Sequence, residues 1–160
     1  MVRVMATGTF DLLHMGHIYF LKEAKKLGDE LIVVVACDDT VKKMKHEPVT
    51  PEHMRANIIK ELKMVDYAVV GYKDDMYKIV EEIKPDIIAL GYDQIHDEKK
   101  IKEELKKRGI KAEIVRLPKY KDMDDLDGTR RIIGKILAAY DFQKTMEQIE
   151  EKKNEENRNS

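Results

Sequence analysis

The chain reads Thr7-Gly8-Thr9-Phe10-Asp11-Leu12-Leu13-His14-Met15-Gly16-His17 where a short apolar run at 2–6 gives way to an amphipathic run that begins near Gly16. This change of pattern predicts a turn from a buried strand into a helix. Such a turn directs backbone N–H groups and the positive end of a helix dipole at whatever lies above it. Phosphate is the usual anion bound there, so we expect the chemistry of the protein in this segment.

Short apolar runs alternate with helical patterns along the rest of the chain. The runs are nearly continuous in apolar residues and rich in β-branched ones, as expected for strands buried on both faces. They lie at 2–6, 31–36, 67–70, 87–90 and 112–117. Helical spacing predicts helices at about 16–27, 51–62, 75–83, 97–108 and 127–142. We expect Thr50 to cap the second of these helices. The alternation predicts an α/β fold, namely a single Rossmann-like domain with a five-stranded parallel sheet and helices on both faces.

The predicted domain covers 1–143, and 144–160 forms a tail. The tail is rich in Glu, Lys and Asn and loses its apolar periodicity, so we expect it to be partly helical or disordered. Ligands of a parallel sheet bind beyond the carboxyl ends of the strands, where strand order reverses. The segments that follow the strands are therefore expected to form one site. They are 7–17, 37–45, 71–73, 91–94 and 118–129.

Composition narrows the class of protein. The formal net charge is −1, which gives no electrostatic basis for binding nucleic acid or a membrane surface. A single cysteine, Cys37, excludes an internal disulfide framework and favours a reducing compartment. The opening apolar run is too short for a secretory leader or a membrane span. We therefore expect a soluble cytoplasmic protein in which Cys37 is a packing residue.

The pair His14 and His17 requires an explanation of its own. A structural role is common for a histidine, but a strand-to-helix turn is not a core position. A metal site would need a third ligand, and His46, His53 and His96 do not have ligand spacing relative to the pair. We therefore predict no protein-held metal and favour phosphate binding. The glycine-rich nucleotide motifs are absent from the sequence, so the turn would have to hold the phosphates itself.

The same residues also resemble a known signature. Gly8-Thr9-Phe10-Asp11 followed by His14-Met15-Gly16-His17 is similar to the motif of HIGH-type nucleotidyltransferases in the cytidylyltransferase-like branch. The resemblance extends from about residue 2 to residue 137. It includes 27–36, 38–42, Pro51 followed by Arg55, and 84–94. Within the branch the chain most resembles single-domain archaeal FAD synthases, with glycerol-3-phosphate cytidylyltransferases next.

The resemblance implies a reaction and its substrates. Archaeal FAD synthases transfer AMP from ATP to FMN and release pyrophosphate. One alternative is a glycerol-3-phosphate cytidylyltransferase that uses CTP and glycerol 3-phosphate, and another is a nucleotide-binding module without turnover. A divalent cation, Mg²⁺, would arrive with the nucleotide. The partners would be these small molecules and a second copy of the chain in a homodimer.

Residue roles follow from the matched positions. His14 and His17 would be catalytic, as donors to phosphate oxygens. The residues expected to bind the nucleotide follow the first, fourth and fifth strands: Thr9, Phe10, His14, Met15, Gly16, His17, Asp93 and Tyr120. The alternative for Asp93 is a turn residue, and the alternative for Tyr120 is a side chain that covers a core edge.

Candidate phosphate contacts are basic or hydroxyl side chains: Lys42, Lys45, Arg55 and Thr129. The two lysines have the alternative of a solvated helix face. Thr129 lies where the wider family carries an Arg-Thr-x-Gly-Ile-Ser-Thr-Thr-like element. This chain has Asp127-Gly128-Thr129-Arg130-Arg131-Ile132-Ile133 there, a departure at a place where archaeal FAD synthases also diverge.

Overall fold

The computed structural model describes residues 1–44, 46–121 and 128–158. Five strands form one sheet: β1 Arg3–Gly8, β2 Glu30–Val35, β3 Tyr67–Val70, β4 Ile87–Leu90 and β5 Glu113–Arg116. Their order is β3-β2-β1-β4-β5, and every pairing is parallel. The predicted α/β class and the five-stranded parallel sheet are confirmed. Strand order reverses between β1 and β4, which is where a ligand crevice forms in such sheets.

Helices connect the strands and follow the last one. They are α1 Met15–Lys25, α2 Asp38–Met44, α3 Glu52–Lys60, α4 Lys78–Ile83, α5 Glu98–Lys107 and α6 Thr129–Arg158. The short helix α2 was not among the predicted helices. The predicted cap of α3 was wrong, because Pro51 occupies the N-cap position. The Thr50 hydroxyl instead donates to Asp11 Oδ1 at 2.7 Å.

The sheet separates two apolar layers. Successive side chains of a strand point to opposite faces, so neighbouring residues of β1 contribute to different layers. One layer joins Val4 to Leu21 of α1 and Ile59 of α3. The other layer joins Met5 to α4 and to Leu105 of α5. Both faces of β1, β2 and β4 are therefore covered, as the near-continuous apolar runs predicted. The edge strand β3 differs, because its Tyr67 and Val69 are exposed.

Helix α6 belongs to a unit of its own. The chain divides into the compact units Met1–Lys121 and Asp122–Ser160. None of the described residues of α6 is buried, and the helix continues without a break past residue 143 to Arg158. It is thus longer than the helix predicted at 127–142, whose first residue lies outside the described residues. The boundary between a domain at 1–143 and a tail at 144–160 stays a prediction. Within the described ranges, no helix has the length and apolar character needed to cross a membrane.

Candidate active site

The turn between β1 and α1 is built around a buried aromatic ring. Phe10 is 5% exposed, and its ring stacks on Phe20 with centroids 6.3 Å apart. Gly8 leaves room for this ring, since a Cβ on Gly8 would lie 2.8 Å from the Phe10 Cζ atom. Phe10 and Leu12 have left-handed backbone, with φ of 54° and 47°. Such strain in non-glycine residues concentrates at functional sites, where the surrounding structure enforces it.

His14 and His17 cap the first turn of α1 with their side chains. His14 is the N-cap residue, and its Nδ1 accepts from the Gly16 N–H at 3.1 Å. The His14 N–H donates in turn to Nδ1 of His17 at 3.4 Å. Because both Nδ1 atoms are acceptors, each neutral imidazole carries its proton on Nε2. The cap thereby fixes the tautomer of both rings.

The two imidazole rings are stacked on each other. Their centroids are 3.7 Å apart and their planes differ by 26°. Phe10 meets His17 edge to face, with centroids 5.4 Å apart, so a buried ring supports the pair. A pair of imidazole rings at a helix N-terminus suits the binding of phosphate oxygens. This geometry supports the catalytic roles of His14 and His17, which stay predictions.

Asp11 ties the turn to the segment that precedes α3. Its carboxylate is 4% exposed. It accepts hydrogen bonds from the Val49 N–H at 2.6 Å, the Thr50 N–H at 3.0 Å and the Thr50 hydroxyl at 2.7 Å. Burial opposes ionisation, but these hydrogen bonds and the charge of Arg55 outweigh it and hold the pKa of Asp11 below its ordinary value of 3.8. The carboxylate therefore stays charged at neutral pH and acts as an anchor.

Arg55 holds the same turn, and its position corrects the predicted phosphate contact. The Arg55 side chain is fully buried. Its guanidinium donates to the carbonyl oxygens of Thr9 at 2.6 Å and Thr50 at 2.9 Å, and to Asp38 Oδ1 at 2.7 Å. All three nitrogens thus bind protein groups, and phosphate has no access to them. The physical reason is that residue 55 lies on the face of α3 that packs on the sheet.

The loop after β4 lies beside the turn. Gln94 Nε2 donates to the Thr7 carbonyl at 2.5 Å, and Gln94 Oε1 accepts from the Gly91 N–H at 3.0 Å. These bonds join the ends of β1 and β4 at the point where strand order reverses. Asp93 is exposed on the same loop. Its predicted contact with a ribose or base stays a prediction.

Two further residues expected to bind the nucleotide lie on or against α1. Met15 is the first residue of α1 and is 48% exposed. Tyr120, which follows β5, is half-buried, and its ring contacts Tyr19 with centroids 5.3 Å apart. The segment after β5 therefore packs on the helix that the histidines cap. The contact of Tyr120 with a nucleotide stays a prediction.

The other candidate phosphate contacts, Lys42, Lys45 and Thr129, stay predictions. Lys42 is exposed on α2 and pairs with Glu47 at 3.3 Å, the arrangement of a solvated helix face. Lys45 lies outside the described residues, and Thr129 belongs to the unit that contains α6. Among the described residues, no three His, Cys, Asp or Glu side chains are grouped as metal ligands.

Sequence reasoning missed three residues that shape the site. Arg116, at the end of β5, donates to three carbonyls of the loop after β4, and Gln94 ties this loop to β1. Backbone carbonyls are the same for every residue type, so no sequence pattern predicts these bonds. Asp11 stood in the turn that the sequence singled out, but its partners Val49 and Thr50 come from a distant segment that only the fold brings to it.

The sheet order and the capped histidine pair define a doubly wound α/β domain of the nucleotide-binding class, with no P-loop in its sequence. The chain belongs to the cytidylyltransferase-like family, whose sequence model matches residues 5–151. It is an enzyme of the nucleotidyltransferase type. The resemblance drawn from the turn sequence is thereby confirmed.

Curated relatives and a solved structure match most of the chain. The FAD synthase of Aciduliprofundum boonei is 62% identical over 141 residues, which cover 88% of this chain and 94% of that protein. The FAD synthase of Ferroglobus placidus is 48% identical over 154 residues, covering 93% and 100%. The crystal structure of the lipopolysaccharide core biosynthesis protein from Thermoplasma volcanium is 55% identical and superposes with a TM-score of 0.74, covering 76% of this chain and 99% of that one.

Proposed function

We propose that this chain is an FAD synthase, which transfers the AMP group of ATP to FMN and releases pyrophosphate. The observation that carries the proposal is the match to FAD synthases over nearly their whole length, with 94% of the A. boonei protein covered at 62% identity. The capped histidine pair supports the same chemistry, because it offers donors to phosphate oxygens at the carboxyl end of β1.

The proposed reaction is a single displacement at phosphorus. A phosphate oxygen of FMN attacks the α-phosphorus of ATP, and the bond from that phosphorus to the α,β-bridging oxygen breaks as the new bond forms. Pyrophosphate leaves with the bridging oxygen. A phosphate monoester is mostly dianionic at neutral pH, because its second pKa is about 6, so the protein does not need to remove a proton. Mg²⁺ enters bound to ATP, as part of the substrate.

The protein contributes positioning and charge stabilisation in this reaction. The Nε2–H groups of His14 and His17 would donate to α- and β-phosphate oxygens as negative charge moves to the leaving group. Their Nδ1 atoms are already bonded to backbone N–H groups at 3.1 and 3.4 Å, so neither ring has to reorient. Donors set in place beforehand stabilise a transition state better than donors that must first be recruited.

The nucleotide would lie between the β1–α1 turn and the loop after β4. Support comes from the Gln94 bond that joins these two segments at 2.5 Å and from the exposed Asp93 on the loop. The backbone of Thr9 and Phe10 would line the site, since the Phe10 side chain is buried. Lys42 is exposed and pairs with Glu47, and one ammonium group can serve a phosphate oxygen as well as a carboxylate.

We also propose that the enzyme acts in the cytoplasm as a homodimer. Strand β3 lies at an edge of the sheet, and its Tyr67 and Val69 are 58% and 36% exposed, which supports pairing of two copies through that edge. The proposal of a cytoplasmic location has separate support, because the buried free Cys37 suits a reducing compartment. Light scattering on the purified protein tests the dimer, and a monomeric mass at micromolar concentration would refute it.

A pyrophosphate-release assay tests the activity, with ATP or CTP crossed against FMN or glycerol 3-phosphate. We expect release only from ATP with FMN, accompanied by FAD that chromatography detects. Release confined to CTP with glycerol 3-phosphate would replace the proposal by a glycerol-3-phosphate cytidylyltransferase. Silence in all four pairs, with nucleotide binding retained, would favour a binding module.

A further inference from the structure

Arg116, the last residue of β5, is bonded to the loop that follows β4. Its guanidinium donates to the carbonyl oxygens of Gly91 at 2.8 Å, Gln94 at 3.1 Å and His96 at 2.9 Å. Its Nε also donates to Glu98 at the start of α5, at 2.8 Å. One side chain therefore fixes the direction of three carbonyl groups within residues 91–97, which we call the β4 loop.

The β4 loop is also tied to the turn that carries the histidines. Gln94 bonds to the carbonyl of Thr7 through Nε2 and to the N–H of Gly91 through Oε1. Two side chains thus hold the loop: Arg116 of β5 binds its carbonyl groups, and Gln94 of the loop itself binds β1. The held loop lies at the carboxyl end of β4, on the crevice where strand order reverses.

The hydrogen bonds of Arg116 lie at an exposed loop, where they contribute little to the free energy of unfolding. The side chains of Arg116 and Glu98 are 31% and 38% exposed, and an exposed ion pair adds little to the free energy of unfolding. The β4 loop adds no large apolar side chain to the core at its two most apolar positions, since Tyr92 is 49% and Ile95 is 84% exposed. The effect of Arg116 is therefore local: it determines the shape of an exposed loop.

We propose that Arg116 is a positioning residue for the nucleotide, which holds the β4 loop in the shape that accepts the ribose and base before the nucleotide arrives. A loop ordered in advance binds its ligand at a lower entropic cost. Loss of Arg116 therefore weakens nucleotide binding more than it slows the chemical step. This inference deepens the proposed function and rests on it for the identity of the nucleotide.

The test variant is Arg116→Lys. Lysine keeps the positive charge and can pair with Glu98, but one ammonium group cannot reproduce the planar fork that serves three carbonyls. Arg108→Lys is the matched control. Arg108 donates to Asp75 at 2.9 Å and Glu81 at 2.8 Å, and it caps the C-terminal end of α5, which lies toward the amino ends of the strands.

Two measurements on the full chain follow from the proposal. Without any substrate, amides of the β4 loop should exchange hydrogen faster in Arg116→Lys than in the parent. In steady-state assays the KM for ATP should rise about tenfold, the effect of losing about one net hydrogen bond, while kcat stays within about threefold. Arg108→Lys should change neither quantity, and the thermal midpoint of both variants should stay near that of the parent.

A KM for ATP within about twofold of the parent, despite faster exchange, would remove the β4 loop from the nucleotide site. Unchanged exchange, or a fall in kcat at constant KM, would overturn the positioning role. If Arg116→Lys lowers the thermal midpoint, Gln94→Ala takes its place, because it removes the other tie and should raise the KM in the same way. If no substrate pair turns over, the Kd for ATP replaces the KM, so failure of the proposed activity and failure of this inference stay separate.

Discussion

Replacing Arg55 by methionine tests how the turn before α1 is held. Methionine keeps the apolar volume of the side-chain stem, but it leaves the carbonyls of Thr9 and Thr50 and the Asp38 carboxylate without donors that now lie 2.6 to 2.9 Å away. Removing one partner of a buried ion pair costs about 3–5 kcal/mol. The Asp38 side chain is 29% exposed, so water offsets part of the penalty. We therefore expect the free energy of unfolding to fall by about 3 kcal/mol, the lower end of that range.

Urea unfolding followed by circular dichroism measures this loss. The control is Arg108→Met, which removes a partly exposed arginine with two carboxylate partners and should lower the free energy of unfolding far less, because exposed ion pairs are screened by water. At a temperature where Arg55→Met is still folded, its kcat should also be lower by about tenfold or more, because the Thr9 carbonyl loses its anchor and the histidines shift with the turn. An unfolding free energy for Arg55→Met equal to that of Arg108→Met would refute the anchoring role.

Three further perturbations address the same turn. His17→Asn keeps an acceptor near the position of Nδ1 and removes the Nε2 donor, so kcat should fall by about 10²–10³ with little change in thermal midpoint. The control is His53→Asn at an exposed position, and a His17→Asn enzyme with the kcat of the parent would contradict the donor role. Gly8→Ala puts a Cβ 2.8 Å from the Phe10 ring, so calorimetry should show a loss of about 1–3 kcal/mol, and an unchanged thermal midpoint would argue against tight packing there. The pKa of Asp11 lies below 3.8 in the folded protein, so the stability that its charge contributes is complete above pH 3.8 and is lost as the pH falls through the folded value. Asp11→Asn should therefore lose less stability than the parent between about pH 6 and about pH 3 in urea unfolding, and equal losses would count against this assignment.

The sequence predicted those strands and helices whose bounds are determined by the types of residue within them. Strands β3 and β4 were predicted at their observed bounds, because short apolar runs bounded by polar segments favour strands. Helix α2 was not predicted, since seven residues are too few to show helical periodicity. The length of α6 was underestimated because its C-terminal half carries many charged residues and little apolar pattern.

The candidate site likewise contains residues that the sequence could locate and residues whose surroundings depend on the packing of distant segments. His14 and His17 could be located from sequence because two histidines beside a glycine are unusual at a strand-to-helix turn. The burial of Arg55 could not, because its three acceptors come from Thr9, Thr50 and Asp38, which are brought together only by the packing of α3 on the sheet. A basic residue near a predicted phosphate site is easily taken for a phosphate ligand when its side chain in fact holds the backbone of the turn.

The histidine cap on α1 has a consequence for how this family can change over evolutionary time. Asparagine is among the preferred residues at the N-cap of a helix, and His14 occupies that position. A descendant with asparagine there would keep the start of the helix and the sheet of its ancestor while losing the imidazole that we propose as a phosphate donor. Selection for folding alone would not remove it. If His14 and His17 are the donors that we propose, comparison of folds would group such an inactive copy with active enzymes, and the identity of residues 14 and 17 would distinguish the two.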